Sequence, residues 1–416
     1  MKKQGGKNVS ANNFEQCTKC TICTVYCPML EVNPLYPGPK QAGIDGERYR
    51  LKEPKYYDEA LKYCLNCKRC EVSCPSGVRI GDIIALAKAK NSRGVPKLRD
   101  VMLANTDLVG SVATAAAPVV NGVLGAKTMR KAMDALLAID HRRVMPKYAG
   151  EKFTTWFDKN VAEEQKKFAK QVTYFYGCYV NYNDPQLGKD LVKVLNAVGY
   201  GVRLMADERC CGAAKISSGL LGQATHDAKR NLAEIRREVS EGRRVIATSS
   251  SCTFTMRDEY EHILGLHNRD VRSSISLATR FIYRQVERGT IKLAFRRDFK
   301  MRVAYHFACH MEKLGWSIYS TSLLNMIDGL ELVRLPSQCC GMAGTYGFKR
   351  ENYDYSQAIG ASLFEQIESL GLDYVATDCE TCKWQIEMST SVKVLHPITI
   401  LADALDVEAT RDLNNL

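Results

Sequence analysis

The chain has 416 residues, which is room for roughly two or three domains with cores of their own. Its hydrophobic content of 45% and charged content of 25% are ordinary globular values, which excludes extensive disorder as the default. The formal net charge of +12 has three possible causes: binding to nucleic acid, binding to an anionic membrane surface, or compensation for bound anionic groups.

Seventeen cysteines are the unusual feature of the composition. The first residues are basic and polar and lack the apolar core of a secretory signal, so we expect the chain to stay in a reducing compartment. Dense cysteine then indicates metal or redox chemistry rather than a disulfide scaffold. The cysteines fall into four groups: Cys17, Cys20, Cys23 and Cys27; Cys64, Cys67, Cys70 and Cys74; Cys178, Cys210, Cys211 and Cys252; and Cys309, Cys339, Cys340, Cys379 and Cys382.

Residues 1–100 hold the first two groups. Short helices are predicted at 56–63 and 80–90 with little strand pattern, which indicates an α-helical ferredoxin domain. Both groups have the spacing C-x2-C-x2-C-x3-C-P, in which one loop supplies three corners of a [4Fe–4S] cluster and the fourth cysteine ligates the other cluster. The predicted ligand sets are Cys17, Cys20 and Cys23 with Cys74, and Cys64, Cys67 and Cys70 with Cys27.

Structural zinc is the alternative for these two motifs. It takes four ligands per site, usually from two C-x2-C pairs without a third C-x2 step. Two copies of the longer spacing, closed by Pro28 and Pro75, favour two [4Fe–4S] clusters instead.

Residues 101–171 are predicted to be a helical linker that contacts the membrane surface or a partner. Within it, 108–126 carries no charge and is followed by Lys127, Arg130 and Lys131. Its many small and polar residues disfavour a transmembrane span, which leaves an interfacial helix on anionic lipid or a helix packed on the protein. One apolar helical stripe is predicted, made of Val109, Val112, Ala116, Val120 and Val123.

Residues 172–290 and 300–405 are predicted to be one unit repeated. Each unit opens with an apolar strand that ends near a cysteine, Cys178 or Cys309, and a CCG doublet and further cysteines follow the next two strands. Alternating strands and helices predict two tandem α/β repeats with parallel strands. Because ligands bind beyond the carboxyl ends of such strands, the cysteines of each repeat are expected to converge.

The two repeats differ in their thiols. Five cysteines in the second repeat suggest an unusual iron–sulfur cluster, with a redox-active disulfide as the milder alternative. An alignment with one gap places Ser249 of the first repeat where Cys379 stands in the second, so the first site is predicted to hold a differently built cluster, a cubane on its four cysteines, or none. His310 and His396 follow strands and are further candidates, although structural roles are more common for single histidines. The predicted cofactor-binding residues are Cys178, Cys210, Cys211, Cys252, Cys309, Cys339, Cys340, Cys379 and Cys382.

Two ferredoxin motifs followed by two CCG units resemble the electron-transfer subunits of the heterodisulfide reductase, glycolate oxidase and lactate-utilisation type. Within that set the chain is similar to the C subunit of bacterial anaerobic glycerol-3-phosphate dehydrogenases, along nearly its whole length. The segments that carry the similarity are YPGPKQAGIDGER (36–48), YDEALKYCLNCKRCEVSCPS (57–76), DHRRVMPKY (140–148), NDPQLGKDLVKVLNA (183–197), CCGMAGTYGFKRENY (339–353) and TDCETCKWQIEMSTS (377–391).

The resemblance implies an electron-transfer component that does not oxidise glycerol 3-phosphate by itself. In that family a flavoprotein subunit oxidises sn-glycerol 3-phosphate to dihydroxyacetone phosphate, and electrons pass through the iron–sulfur subunit to menaquinone. The iron–sulfur subunit is also thought to hold its partners on the cytoplasmic side of the inner membrane, as a peripheral protein. The chain contains neither a dinucleotide fingerprint for FAD or NAD nor a phosphate loop, so we expect it to receive electrons from another protein.

Other classes of function compete with this one. A thiol–disulfide or heterodisulfide reductase is the first alternative, and a glycolate or lactate oxidase-type iron–sulfur subunit is a related one. Binding to nucleic acid is not expected, because the basic residues are spread out and few alternate with aromatic residues.

Overall fold

Two four-stranded parallel sheets form the C-terminal part of the protein, and helices form the N-terminal part. The computed structural model describes residues 13–91 and 96–416. The predicted class, α/β with an α-helical N-terminal domain and two parallel-stranded repeats, is confirmed.

The ferredoxin segment consists of short helices around two cysteine loops. The region predicted as a helix at 56–63 forms only a 3₁₀-helix, Glu59–Tyr63, and another 3₁₀-helix and a π-helix occupy Phe14–Gln16 and Lys40–Asp45. The α-helices are α1 (Ile22–Val25), α2 (Pro28–Val32), α3 (Gly46–Lys52), α4 (Arg69–Val72) and α5 (Ile80–Asn91).

Six helices connect this segment to the first sheet. They are α6 (Leu98–Ala104), α7 (Thr106–Ala115), α8 (Ala117–Gly125), α9 (Lys127–Leu137), α10 (Phe153–Asn160) and α11 (Ala162–Gln165). Within the described ranges no single helix is long and apolar enough to cross a membrane; α7 and α8 meet that requirement only as a pair, bent by 107°.

The bend corrects the prediction of one continuous apolar stripe over 108–126. Pro118 cannot donate a backbone hydrogen bond, and its ring would clash with the carbonyl four residues earlier. The helix therefore breaks at Ala116 and restarts with Pro118 in its first turn, where the missing N–H has no cost. As a result, Val109 and Val120 line an internal cavity while Val112 is exposed.

The first repeat has the sheet order β2-β1-β3-β4, with all strands parallel. The fourth strand was not predicted, because its three residues carry no recognisable period. The strands are β1 (Lys170–Phe175), β2 (Tyr200–Leu204), β3 (Val245–Ala247) and β4 (Ile275–Leu277). The helices are α12 (Gly177–Tyr182), α13 (Pro185–Ala197), α14 (Ala213–Ser217), α15 (Leu221–Ser240), α16 (Ser250–Phe254), α17 (Tyr260–His262) and α18 (Ala278–Glu287), with a π-helix at Thr255–Glu259 and a 3₁₀-helix at Arg272–Ser274.

The second repeat has the same topology, with the order β6-β5-β7-β8. Its strands are β5 (Met301–Tyr305), β6 (Leu330–Arg334), β7 (Tyr374–Ala376) and β8 (Lys393–Leu395). Its helices are α19 (Cys309–Leu314), α20 (Ser317–Leu324), α21 (Tyr353–Ser369), α22 (Glu380–Ser389), α23 (Pro397–Ala404) and α24 (Val407–Leu413), with 3₁₀-helices at Tyr346–Phe348 and Arg350–Asn352.

The two sheets share one hydrophobic core. Tyr174 and Ile246 from the first sheet and Tyr305 and Ala376 from the second belong to the same buried cluster. In each sheet the direction of strand order reverses between the first and third strands, and ligands of such folds bind at the carboxyl ends next to this point. The fold therefore directs both cysteine sets to comparable places.

Candidate metal centres

The first centre is formed by Cys17, Cys20, Cys23 and Cys74, which line one small pocket. Burial raises the pKa of Cys23, and the negative charges of the other three thiolates add to the shift. Four thiols this close together are suited to bind an iron–sulfur cluster, because its iron ions are ligated by thiolates. We call this set the outer centre, since Cys20 is exposed.

The second centre is formed by Cys64, Cys67, Cys70 and Cys27, which also share a pocket. Burial raises the pKa of Cys27 to about 12, and the charge of Cys67 contributes the next largest part. We call this set the inner centre. The structure thus brings together the exchanged sets that the sequence predicts, while iron ligation itself stays a prediction.

The same backbone shape builds both loops. The residue before and the residue after the middle cysteine are left-handed in each: Lys19 and Thr21 at φ 60° and 61°, and Asn66 and Lys68 at φ 56° and 63°. None of these is glycine, so each conformation costs of order 1–3 kcal/mol and persists only where the surroundings require it. The strain turns three thiols toward one point.

A buried lysine, Lys68, lies between Cys67 and Cys70 of the inner centre in the sequence. Lys68 is fully buried and its Nζ lies 2.5 Å from Asp82 and 3.9 Å from Glu259 of the first repeat. The next residue, Arg69, donates a 2.8 Å hydrogen bond to Ser337 of the second repeat. The inner centre is therefore fixed to both repeats.

The inner centre lies beside the cysteines of the second repeat. Cys67 lines the same cavity as Cys309 and Cys339. Burial is the largest cause of the raised pKa of both Cys309 and Cys339, and the negative charge of Cys67 contributes to each. The thiol of Cys67 in the inner centre is thus close to the cysteines of the second repeat.

In the second repeat, the Sγ atoms of Cys340 and Cys382 are 3.4 Å apart. The CCG glycine, Gly341, has φ +84°, and a Cβ there would lie 2.0 Å from the carbonyl oxygen of Ser356. Only glycine allows the chain to turn the doublet inward at this point. The side chain of His306 also reaches this site, with a ring nitrogen within 4.8 Å of both thiols.

In the first repeat the four cysteines are also in contact. Cys210 is hydrogen-bonded to Cys178 and Cys211, and these bonds lower its pKa well below the usual value. The linker helix α7 completes the site: Thr106 Oγ1 lies 3.4 Å from Cys210 Sγ, and the Cys210 amide donates a 2.7 Å bond to Asp107. Burial raises the pKa of Asp107 to about 7.

The structure places Ser249 and Cys379 at equivalent positions. Each is the N-cap residue of the helix after the third strand, α16 for Ser249 and α22 for Cys379. Cys252 and Cys382 each lie three residues after the N-cap residue and therefore correspond as well. The first site consequently has four thiols and one hydroxyl.

The two histidines predicted from the sequence have structural contacts. His310 Nδ1 lies 3.2 Å from Ser251 Oγ, and its ring stacks on Phe254 at 4.6 Å. His396 caps α23 by accepting from the Ile398 amide, and its second nitrogen lies 2.9 Å from the Thr248 carbonyl oxygen. Neither histidine is left without a partner.

Sequence reasoning missed several residues at these sites. His306 comes directly after β5 and looks like any strand-end residue. Asp107 and Thr106 precede a segment that was singled out only for its apolar character. Only their position in the fold brings them to the cysteines.

One cavity of about 350 Å³ connects the cysteine sites of the two repeats with the inner centre. All nine cysteines of the two repeats line it, together with Cys67. Its opposite wall is apolar and comes from α6–α9 and the chain that follows, with Met102, Val109, Val120 and Met133 among its residues. The two repeats therefore share one chamber.

Comparisons with known proteins agree with this architecture. The model of the 4Fe-4S dicluster domain matches residues 13–78, and that of the cysteine-rich (CCG) domain matches 172–257 and 303–387. At 23–25% identity the chain is similar to the glycolate oxidase iron-sulfur subunit of Escherichia coli, over 98% of both chains, and to the B subunit of fumarate reductase (CoM/CoB) of Methanothermobacter marburgensis, over 92% of this chain and 70% of that one.

These matches define an iron–sulfur protein with one dicluster ferredoxin domain and two cysteine-rich domains. The chain is also 56% identical to the C subunit of anaerobic glycerol-3-phosphate dehydrogenase of Escherichia coli, over 94% of this chain and 99% of that protein. It belongs to the family formed by the C subunits of anaerobic glycerol-3-phosphate dehydrogenases.

Proposed function

We propose that this chain is the iron–sulfur subunit that carries electrons from a flavoprotein subunit of an anaerobic glycerol-3-phosphate dehydrogenase to a quinone. The proximity of Cys67 to Cys309 and Cys339 carries the proposal. It places the inner centre beside the second-repeat site, and cysteines of both the outer and the inner centre belong to the same hydrophobic cluster as Cys339. The ligand sets in each are suited to iron–sulfur clusters, which would supply the one-electron steps.

Electrons enter at the outer centre in this proposal. Cys20 is exposed there, and apolar side chains beside it are exposed as well: Ile22 at 38%, Val25 at 75% and Tyr26 at 53%. An exposed apolar patch next to a redox centre is the kind of surface that a partner protein covers. The flavoprotein subunit is the proposed partner.

Electrons leave through the shared cavity. Its volume is within the range of small-molecule sites, and its apolar wall suits the ring of menaquinone or a related quinone. The thiols of the second repeat form the facing wall. A quinone there would lie between its electron source and the apolar helices.

The outer side of the same helices supports a membrane location. Six large apolar side chains on α7–α9 are exposed, and Lys127 and Lys131 lie on the adjoining surface. This combination suits a helix group lying in the interface of an anionic bilayer. We propose a peripheral position on the cytoplasmic side of the inner membrane. The six residues, called the outer face below, are Leu108, Val112, Val119, Val123, Met129 and Leu136.

A thiol–disulfide reductase is the second candidate. The 3.4 Å separation of the Cys340 and Cys382 sulfurs favours it, because such a pair is close enough to form a disulfide after a small movement. A reduced Cys340–Cys382 pair can reduce one equivalent of a disulfide by thiol–disulfide exchange, becoming a disulfide itself, without a flavoprotein partner. Reduction of a disulfide substrate by the chain alone would therefore separate the two functions.

Reconstitution tests the proposal. The anaerobically purified chain should contain about eight or more irons and show no glycerol-3-phosphate oxidation alone, but it should restore quinone reduction when added to its flavoprotein in lipid. Cys340→Ala should keep both ferredoxin EPR signals reducible by glycerol 3-phosphate and abolish quinone reduction. Full quinone reduction by Cys340→Ala would show that the second-repeat site is not on the route.

A further inference from the structure

His306 is a buried histidine without hydrogen-bond partners on its ring. Only 1% of the residue is exposed, and neither Nδ1 nor Nε2 has a partner in the part of the chain that the structure describes. Buried polar groups in proteins are almost always paired, so both nitrogens require an explanation. A group bound at this point would provide one.

The imidazole is directed at the thiols of the second repeat. One ring nitrogen of His306 and the Sγ atoms of Cys340 and Cys382 all lie within 4.8 Å of one another. Ligands of one tetrahedral metal ion are about 3.5–3.8 Å apart, from metal–sulfur and metal–nitrogen distances of about 2.3 and 2.0 Å. The three atoms can therefore surround one metal ion after small adjustments.

The backbone holds His306 firmly in this position. Its amide donates a 2.9 Å hydrogen bond to the carbonyl of Ala376, which extends the pairing of β5 and β7 by one residue. Its carbonyl accepts a 3.2 Å bond from Thr377 Oγ1. The ring is thus placed by the sheet, as ligands of metal centres commonly are.

The first repeat has no counterpart. Phe175 occupies the same place there, three residues before Cys178 as His306 is three residues before Cys309, and it is a buried apolar residue. With Ser249 in place of Cys379, the first repeat lacks both the fifth thiol and the imidazole. The imidazole nitrogen of His306 is therefore a feature of the second-repeat site, which lies next to the inner centre, and has no counterpart in the first repeat.

We infer that His306 supplies a nitrogen ligand to the iron held by Cys340 and Cys382. The inference rests on the proposed iron–sulfur loading of the second repeat, but not on the identity of the electron donor or of the quinone. Exchange of a thiolate for a neutral imidazole makes an iron–sulfur centre less negative and easier to reduce, as in centres where histidines replace cysteines. Such a site would attract electrons from the all-cysteine inner centre.

Pulsed EPR on the complete chain, purified anaerobically with its iron, tests this. Chemical reduction or oxidation generates the signal, so the result does not depend on glycerol 3-phosphate or quinone. The wild type should show a strongly coupled nitrogen whose coupling changes when isotopically labelled histidine is incorporated. His306→Phe, which copies the first repeat, should lose this coupling and show a lower midpoint potential at that site.

His310→Phe is the matched control, because His310 lines the cavity together with Cys340 and Cys382 but has a hydrogen-bond partner. It should keep the strong coupling. If His306→Phe does not fold, His306→Asn gives the same comparison with a polar side chain. A strong coupling that survives both changes at position 306, or only a weak coupling in the wild type, would overturn the ligand assignment. If the wild type shows the nitrogen coupling but does not reduce quinone when combined with its flavoprotein, the proposed function alone is contradicted.

Discussion

Ser249 of the first repeat donates a hydrogen bond across the repeat boundary to the carboxyl group of Glu380, at 3.0 and 3.2 Å from its two oxygens. The same hydroxyl accepts a 3.1 Å bond from the amide of Cys252. Burial raises the pKa of Glu380 to about 8, and the charge of Cys379 adds to this, so the carboxyl group is largely protonated at neutral pH. The Ser249 hydroxyl is therefore already engaged by Glu380 and by the amide of Cys252.

The first prediction concerns this position. Ser249→Cys should give the first repeat the fifth thiol that Cys379 provides in the second, because the two residues occupy equivalent helix-capping positions. We expect a change in one EPR signal and no change in the two ferredoxin signals. Ser240→Cys, on an exposed surface, controls for the added thiol itself. An unchanged EPR spectrum in Ser249→Cys would mean that the side chain at 249 does not reach the cofactor.

The second prediction concerns the exchange of cysteines between the ferredoxin loops. Cys27→Ala should lose the same EPR signal as Cys67→Ala, because Cys27 shares a pocket with Cys67. Cys74→Ala should instead lose the signal that Cys20→Ala loses. The four reduced spectra, compared pairwise, give the answer. If Cys27→Ala matches Cys20→Ala, each loop holds its own cluster and the exchange is wrong.

A third prediction compares neighbouring arginines. Arg143 has no exposed surface and donates to the Gly347 carbonyl at 2.5 Å, to Ser356 at 2.7 Å and to Gln385. Arg143→Met should destabilise the chain by about 2–4 kcal/mol, since several buried acceptors lose a charged donor. Arg142→Met should cost less than about 1 kcal/mol, because Arg142 is 43% exposed. Thermal unfolding of the two variants provides the comparison, and equal losses would contradict it.

The ferredoxin domain and the second repeat illustrate what the sequence could predict. Cysteine spacing predicted which thiols share a pocket, because loop geometry is local and the exchange of the fourth ligand follows from the motif. Strand positions could be predicted because each apolar run precedes a cysteine. The three-residue strand β4 could not, since its pairing with β3 depends on the sheet rather than on its own period.

Contacts between distant segments could not be predicted. Nothing near His306 in the sequence indicates that its ring meets Cys340 and Cys382, because three separate strands bring them together. The shared cavity needs both repeats and the linker at once. The linker itself was predicted as one stripe, and Pro118 divided it in a way that gives its two sides different environments.

A fourth prediction concerns pH. Burial and the positive charge of Arg79 lower the pKa of His262, so the folded chain prefers the neutral ring. Below about pH 6.5 the unfolded chain binds a proton at this residue and the folded chain does not. The free energy of unfolding should therefore decrease as the pH falls below about 6.5, and it should be regained as the pH rises back to that value. His262→Gln should flatten this part of the curve in unfolding midpoints measured from about pH 5 to 8; an unchanged slope would exclude His262 as its source.

The last prediction separates the two sides of helix α7. Ala113 is buried and lines the cavity, whereas Ala115, two residues later on the same helix, is exposed. Ala113→Phe should fill part of the space between the helices and the thiols. We expect it to weaken binding of heptylhydroxyquinoline N-oxide, a fluorescent quinone analogue, at least tenfold in the detergent-solubilised complex. Reduction of the ferredoxin clusters by glycerol 3-phosphate should continue, because Ala113 does not line the pockets of the inner and outer centres.

Ala115→Phe introduces the same side chain on the surface and should leave binding of the analogue unchanged. Val120→Phe on α8, which also lines the cavity, tests the opposite arm of the bend should Ala113→Phe prove unstable. Equal binding to all three variants and the wild type would place the quinone elsewhere. A charge on the outer face, as in Val119→Asp, should instead reduce sedimentation with anionic vesicles while binding of the analogue in detergent is retained, because Val119 is 69% exposed and does not line the cavity. Together these variants distinguish contact with lipid from contact with the quinone on two sides of one helix pair.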